Sequence, residues 1–527
     1  MTVPKVCILT AGRGTRMGPG YAWINKALLP LDDKAIISHI IDACPADTRF
    51  VIGLGHLGDQ VRGYLSLAHP ETSFEFFEVD PWQGPGSGPG RSLRCCREAL
   101  TDPFCFVPCD YLPGGTIDTA LPGDWVGVAR MPEIESARYC NFRVDDGGRV
   151  AEIRDKQAVQ SEGYGAFTGL MRVEHTGAFW AAIDEADEIA GEIQVSSGLG
   201  ALQALGTLRA IEHPWVDVGE ELPYRAEIVR RHGYDFSKPG EALFIVNGRV
   251  IKLFEDHAGA ERRVERGRSV PGVFPEMLDA PPGSLAYPYV EGRTLYSSVG
   301  RRAVERLLGW CEAELWAPCA IGIGELGSLC DTFYRLKTLA RVADLESMGG
   351  LRDEPALVSG HAVPGVRELL DAIDWADLCA GGCAVRFHGD LQFDNIIARP
   401  DGGFTLLDWR QDFAGRIDAG DLDYDLAKML GGVRVNYARV KRGELGYRTE
   451  RTVGQLNAII DLPACDQADD LSAYVLDAAE RMGRDPGRIR LLTALIHLNM
   501  APLHAEPFAS ALRDLARVEL AAELVPA

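Results

Sequence analysis

The chain has 527 residues, enough for two or more domains, each with its own core. Its 46% hydrophobic and 25% charged residues are those of a globular protein, and no run approaches the ~18 apolar residues of a membrane helix. A formal charge of -22 argues against nucleic-acid binding, so any phosphorylated ligand must be met by local Lys and Arg clusters. The thirteen cysteines are scattered, and the N-terminus lacks a basic start followed by an apolar core. We therefore expect reduced thiols in a cytoplasmic protein, without a zinc site and without membrane insertion.

Residues 5–10 (KVCILT) predict a short buried strand, which runs straight into the glycines Gly12, Gly14 and Gly18. Glycines after a strand let backbone N–H groups approach a phosphate. A dinucleotide fingerprint fits poorly, because the third Gly comes one position late and Pro19-Gly20 interrupts the expected helix. An oxidoreductase is thus the weaker alternative, and no NAD(P)H binding is expected. Arg16 and Lys26 bracket the loop, which suits a triphosphate better. Further on, residues 104–109 predict a strand ending at Asp110, and residues 149–153 a strand before Asp155-Lys156. Residues 83–90 (QGPGSGPG) are too rich in Gly and Pro for a helix or a central strand.

Gly12-Arg13-Gly14-Thr15-Arg16, Lys26-Ala27-Leu28-Leu29-Pro30, Asp110, Asp155-Lys156 and Trp215-Val216-Asp217-Val218-Gly219 occur in that order. Together they resemble the nucleotidyltransferases that join a nucleoside triphosphate to a sugar phosphate or phosphocholine. The resemblance implies that Gly12, Gly14 and Thr15 hold the nucleotide, with Arg16 and Lys26 acting on its phosphates. It implies Asp110 and Asp217 as Mg²⁺ ligands and Lys156 on the acceptor phosphate. It assigns Gly88 and Ser92 to the nucleotide base, with a surface loop as the alternative. Two departures bear on the acceptor: Asn25-Lys26 stands for Pro-Lys, as in the phosphocholine cytidylyltransferase-like branch, and Cys109-Asp110 stands for Gly-Asp.

After a predicted linker at 230–240, residues 242–246 and 250–254 predict a hairpin turned by Asn247-Gly248, with Lys252 in an otherwise apolar strand. A helix follows from 258 to about 266, and residues 299–316 and 330–348 have helix-period apolar faces. The stretch 387–409 (FHGDLQFDNIIARPDGGFTLLDW) reads as strand end, polar loop and hairpin, which draws Asp390, Asn395 and Asp408 together. One Asp can take a hydroxyl proton, while an Asn and a second Asp offer hard oxygens to Mg²⁺. Residues beyond Lys428 are expected to be mostly helical, with clearer stretches at 473–482, 489–500 and 508–520.

His388-x-Asp390-x-x-x-x-Asn395, Asp408-Trp409 and the run 420–428 (GDLDYDLAK) resemble the aminoglycoside phosphotransferase and choline kinase group of the protein-kinase-like fold. The resemblance implies Asp390 as base, Asn395 and Asp408 as metal ligands, and Lys252 on the ATP phosphates, oriented by Glu261. It implies a hinge at 284–295 that holds adenine. The segment before Asn247 is short, so the small lobe is reduced. Trp310, Trp316, Trp375, Trp409 and Tyr424 are either part of a cage for a quaternary ammonium or core.

The expected fold is α/β. It comprises a Rossmann-like, GT-A-like nucleotidyltransferase domain over 1–232 and a two-lobed α+β protein-kinase-like domain over 240–527. The expected function is bifunctional: ATP phosphorylates a small-molecule hydroxyl, and the phosphate is coupled to an NTP, CTP first, with Mg²⁺ at both sites. The product would be an activated head group or sugar for surface polysaccharide or lipid. A sugar-1-kinase joined to an NDP-sugar pyrophosphorylase is one alternative. A non-catalytic kinase-like binding module is another. Partners are small molecules rather than nucleic acid, and homo-oligomerisation is left open.

Overall fold

The computed structural model describes residues 5–84, 87–130, 133–160, 163–186, 192–232, 238–351, 353–452 and 455–524. Pro85 and Gly86 of the Gly-Pro loop, and 233–237 of the expected linker, lie outside the described residues. Two compact units are present: Met1–His257 with Asp279–Ala286, and Ala258–Leu278 with Tyr287–Ala527.

The first unit is built on a mixed sheet. Strand Lys5–Leu9 lies between Arg49–Leu54 and Phe104–Pro108, parallel to both, with Val6 opposite Phe50 and Cys105. Flanked on both sides, its Val6, Cys7 and Ile8 are fully buried, as a continuous apolar run in a parallel sheet requires. Phe74–Glu78 extends the parallel side, and Tyr164–Val173 turns the other side antiparallel. Helix Gly58–Ala68 connects two parallel strands. Its Val61, Tyr64, Leu65 and Ala68 fall one helical turn apart and are buried. Burying one such Leu contributes roughly 1.5–3 kcal/mol. The parallel strands end along one edge, where Thr10 and Asp110 emerge, the usual place for a ligand in such a sheet. Trp215–Asp217 then pairs with Tyr111–Pro113, setting Asp217 opposite Tyr111.

The hairpin Glu241–Val246 and Arg249–Phe254 forms as expected, but it belongs to this first unit. Ile245 N–H donates to Asp33 O at 2.7 Å, and the Asn247 amide donates to Ala68 O at 2.8 Å. Phe244 packs edge-on against Tyr64 at 4.8 Å.

The second unit is mainly helical. Helix Leu422–Arg434 is buried all round from Leu422 to Val433, as a central helix must be, with Pro486–Met500 and Ala468–Arg481 packed on it and Phe508–Leu524 packed on Pro486–Met500. The hairpin Ile396–Ala398 and Phe404–Leu406 is joined by Arg293–Thr294. The expectation of helix beyond Lys428 needs one correction. Gly446–Thr452 and Gln455–Asp461 are paired strands, in a sheet with Ala356–Val358 and His361–Val363. The signal was the alternation of Leu456, Ala458 and Ile460, which the exposed Ile459 blurs, in a strand with one wet face. Two helical stretches also contain π-turns, Cys311–Leu315 and Asp331–Leu336, which a 3.6-residue period does not reveal.

Candidate functional sites

In the first unit three side chains meet around Gly219. A Cβ added to Gly219 would lie 2.6 Å from Asp110 Oδ2, 2.8 Å from Asp217 Oδ1 and 2.9 Å from Lys26 Nζ. The glycine of Trp215–Gly219 is therefore the space in which this centre forms, a role its motif signalled but the sequence reading did not assign. Lys26 Nζ is 2.5 Å from Asp110 Oδ2. Burial alone would raise the Asp110 carboxyl, but the Lys26 ammonium overrides it and holds the group below the usual carboxylate range. Gly219 N–H donates to Asp217 Oδ1 at 2.8 Å and Tyr139 OH to Asp217 Oδ2 at 3.1 Å.

Lys26 is delivered by its neighbours. Gly14 adopts a left-handed φ of 62°, and a Cβ there would sit 3.3 Å from Lys26 Cβ. The Asn25 amide donates to Thr10 O at 2.9 Å and His56 O at 2.7 Å, and its Oδ1 caps Ala27 N. Asn25 thus ties the Lys26 turn to two strand ends, a function invisible in sequence. Gly12 and Thr15 are exposed on the Gly loop, and Arg16 reaches Glu220 at 3.1 Å. Glu220 also receives Arg138 at 2.5 Å, a pair the sequence reading missed. Lys156 is exposed at a left-handed φ of 51° and tied by its backbone N–H to Tyr139 O, the residue that touches Asp217. Gly88 lies beside Glu192 and Ile193, and Ser92 Oγ donates to Gly88 O at 3.0 Å, closing the helix rather than pointing outward.

In the second unit the loop after Phe387 is stitched by its own backbone. His388 Nδ1 accepts from Asp390 N at 3.1 Å, and Nε2 donates to Leu407 O at 2.9 Å. That fixes the neutral tautomer, and burial pushes His388 down to about 4. Arg410 N–H donates to His388 O and Leu407 N–H to Asn395 O, so the segments bearing Asp390, Asn395 and Asp408 are neighbours. The Asn395 amide donates to Asp390 O at 2.9 Å, which leaves its Oδ1 as the oxygen available to a cation. Asp408 holds a left-handed φ of 58°, strain of the kind kept at functional sites. Lys428 Nζ lies 2.8 Å from Asp390 Oδ1.

The acidic run 420–428 anchors this loop. Asp425 accepts from His388 N at 2.8 Å, Gly389 N at 2.7 Å and Trp316 Nε1 at 3.0 Å. Burial still raises it to about 6. Asp421 pairs with Arg488 at 2.7 Å and Asp423 with Arg484 at 2.6 Å, so the other acids are structural. Trp316, Trp409 and Tyr424 are core, and the indoles of Trp409 and Trp375 donate to Arg263 O and Leu370 O. Lys252 is buried in the first unit, 3.2 Å from Glu241 across the hairpin, a partner not named from sequence. Glu261 is exposed on helix His257–Ser269 of the second unit.

Comparison with known proteins bears on the first unit. Residues 6–121 match the MobA-like NTP transferase domain family. They carry an NTP transferase domain. The match contains the Gly loop, Lys26 and Asp110, while Asp217 and Gly219 lie beyond it. Among solved structures, a UDP-glucose pyrophosphorylase complexed with UDP-glucose aligns at 16% identity and a TM-score of 0.38, over 44% of this chain and 99% of its own. A UDP-glucose pyrophosphorylase from Acinetobacter baumannii aligns at 15% identity and a TM-score of 0.37, over 44% and 94%. No curated protein matches the chain. No helix among the described residues is long and apolar enough to cross a membrane.

Proposed function

We propose that the chain is a bifunctional transferase, with nucleotidyl transfer in the first unit and phosphoryl transfer in the second. The observation that carries the first half is the meeting of Asp110, Asp217 and Lys26 at Gly219, with Lys26 and Asp110 inside the stretch that matches the NTP transferase family. Two carboxylate oxygens near one point suit Mg²⁺, which takes one or two carboxylates and completes its shell with phosphates and water. Bound there, the ion would neutralise charge on the nucleotide phosphates. An acceptor phosphate oxygen attacks the α-phosphorus, the α–β bridging bond breaks, and pyrophosphate leaves with the electron pair. Both reactants are anions, and Lys26, Arg16 and Lys156 offset their repulsion. Asn25-Lys26 favours CTP as the nucleotide.

In the second unit Asp390 accepts the proton of a substrate hydroxyl as its oxygen bonds the γ-phosphorus of ATP and ADP departs. Asn395 Oδ1 and the Asp408 carboxylate would be the hard oxygens for Mg²⁺. The fusion supports the pairing, since one unit's product class is the other's acceptor class. The test is pyrophosphate release from purified full-length protein, Mg²⁺ and ATP with CTP, UTP, GTP or dTTP, over a panel of unphosphorylated alcohols. Release with CTP alone supports the reading. Release only from pre-phosphorylated acceptors would overturn the phosphotransfer half.

A further inference from the structure

Beside Asp390 the second unit gathers three cations. Lys428 is spoken for, since it and Asp390 neutralise each other at 2.8 Å. The other two are not. Lys337 Nζ sits over the Phe333 ring at 4.2 Å and the Tyr424 ring at 5.7 Å. The Arg410 guanidinium sits over the same Phe333 ring at 4.8 Å. Among the described residues neither has a carboxylate within 4.0 Å, whereas nearby Arg341 is paired to Asp344 at 3.5 Å.

The platform is built rather than incidental. The π-turn Asp331–Leu336 presents Phe333 and delivers Lys337 at the head of helix Lys337–Ser347. Phe333 is held by stacking on Phe413 at 4.2 Å and edge-on contact with Tyr424 at 4.9 Å. Arg410 follows Asp408-Trp409 directly and is fixed by its backbone bond to His388. A ring face offsets only part of the cost of withdrawing a cation from water. Burial, then Arg410 and Lys428, hold the Lys337 ammonium well below the usual lysine range, while Asp390 works the other way. A chain of net charge -22 has carboxylates to spare, yet among the described residues none lies within 4.0 Å of either cation.

We propose that the acceptor presented to Asp390 carries an anionic group, phosphate or carboxylate, gripped by Lys337 and Arg410. This deepens the phosphotransfer reading of the second unit and rests on it. The anion would take the place of the missing counter-charge, and a hydroxyl a few bonds away would reach Asp390. It turns the acceptor class away from choline-like amino alcohols, which carry the wrong sign for these two residues.

The test is ADP release by the full chain with ATP and Mg²⁺ over matched acceptors: glycerol, glycerate, glycerol 3-phosphate and choline. Glycerate or glycerol 3-phosphate should be preferred, and the better of them says which anion is read. Lys337→Gln and Arg410→Gln should each raise KM for the anionic acceptor about ten-fold or more, with KM for ATP unchanged and Lys337→Arg largely restoring it. Preference for glycerol or choline would overturn the proposal, as would a rise confined to KM for ATP. If no acceptor is phosphorylated, the phosphotransfer reading fails separately. Inorganic phosphate then serves as the probe: a thermal shift lost in the Lys337→Gln/Arg410→Gln double variant supports an anion site, and one that persists overturns it.

Discussion

The two centres are assembled in opposite ways. Around Gly219 the first unit brings together Lys26, Asp110 and Asp217, residues from three distant segments that meet only because a mixed sheet ends its strands along one edge. In the second unit Asp390, Asn395 and Asp408 come from one short stretch, stitched by its own backbone and clamped from outside it by Asp425 and Lys428. The first centre depends on an absent side chain, the second on a buried present one. A centre made of distant parts is most sensitive where the parts meet. A local one is most sensitive at its reacting group and at its anchor.

The sharpest way to break the comparison is Asp390→Ala. Loss of a base costs about 10²–10⁴ in rate, so ATP-dependent ADP release should fall by that much while nucleotidyl transfer to a pre-phosphorylated acceptor persists. If both activities fall in a folded variant, the centres are not separate. Gly219→Ala is the converse. Its methyl would occupy the point within 2.9 Å of Asp110, Asp217 and Lys26, and pyrophosphate release should drop about 10²–10³-fold with ADP release unchanged. A variant with normal pyrophosphate release would remove the first centre from the reaction.

A third outcome concerns pH. His388 has its folded value pushed down to about 4 from 6.5, so the stabilisation from its neutral form is complete above 6.5 and is lost as pH falls toward 4. For this fully buried ring the effect is on the order of 3 kcal/mol. Asp425, raised to about 6, works in the opposite sense, favouring the folded state as pH falls through 6. Calorimetric melts of the second unit in wild type and His388→Asn should therefore diverge above pH 6.5 and converge toward pH 4. Parallel curves would show that the ring titrates elsewhere. The smallest effect is expected for Asp425→Asn. It keeps one acceptor oxygen for the three donors and should cost ~1–3 kcal/mol, read as an earlier melt with the first unit's transition unmoved.

Much of the second centre was legible because its information is local. The spacing of Asp390, Asn395 and Asp408 around a Pro-Asp-Gly-Gly turn specifies a hairpin, and a hairpin specifies proximity. The strand and Gly loop at 5–18 were legible for the same reason. The paired strands at 446–461 were not, since one wet face leaves only a half-strength alternation. Glu241 as the partner of Lys252 was also hidden, because a diagonal pair depends on register.

By itself, then, the sequence determined which chemistry-bearing residues exist and which short segments present them, because turn residues and strand periods act over a few positions. Only the tertiary structure decided that Gly219 is the empty point where three charges meet and that Asn25 ties the Lys26 turn. It alone decided that Asp425 clamps the Asp390 loop and that Lys337 and Arg410 share one ring with, among the described residues, no carboxylate within 4.0 Å. Each of these is a distance between residues far apart in the chain, fixed by sheet register and helix packing rather than by any local pattern.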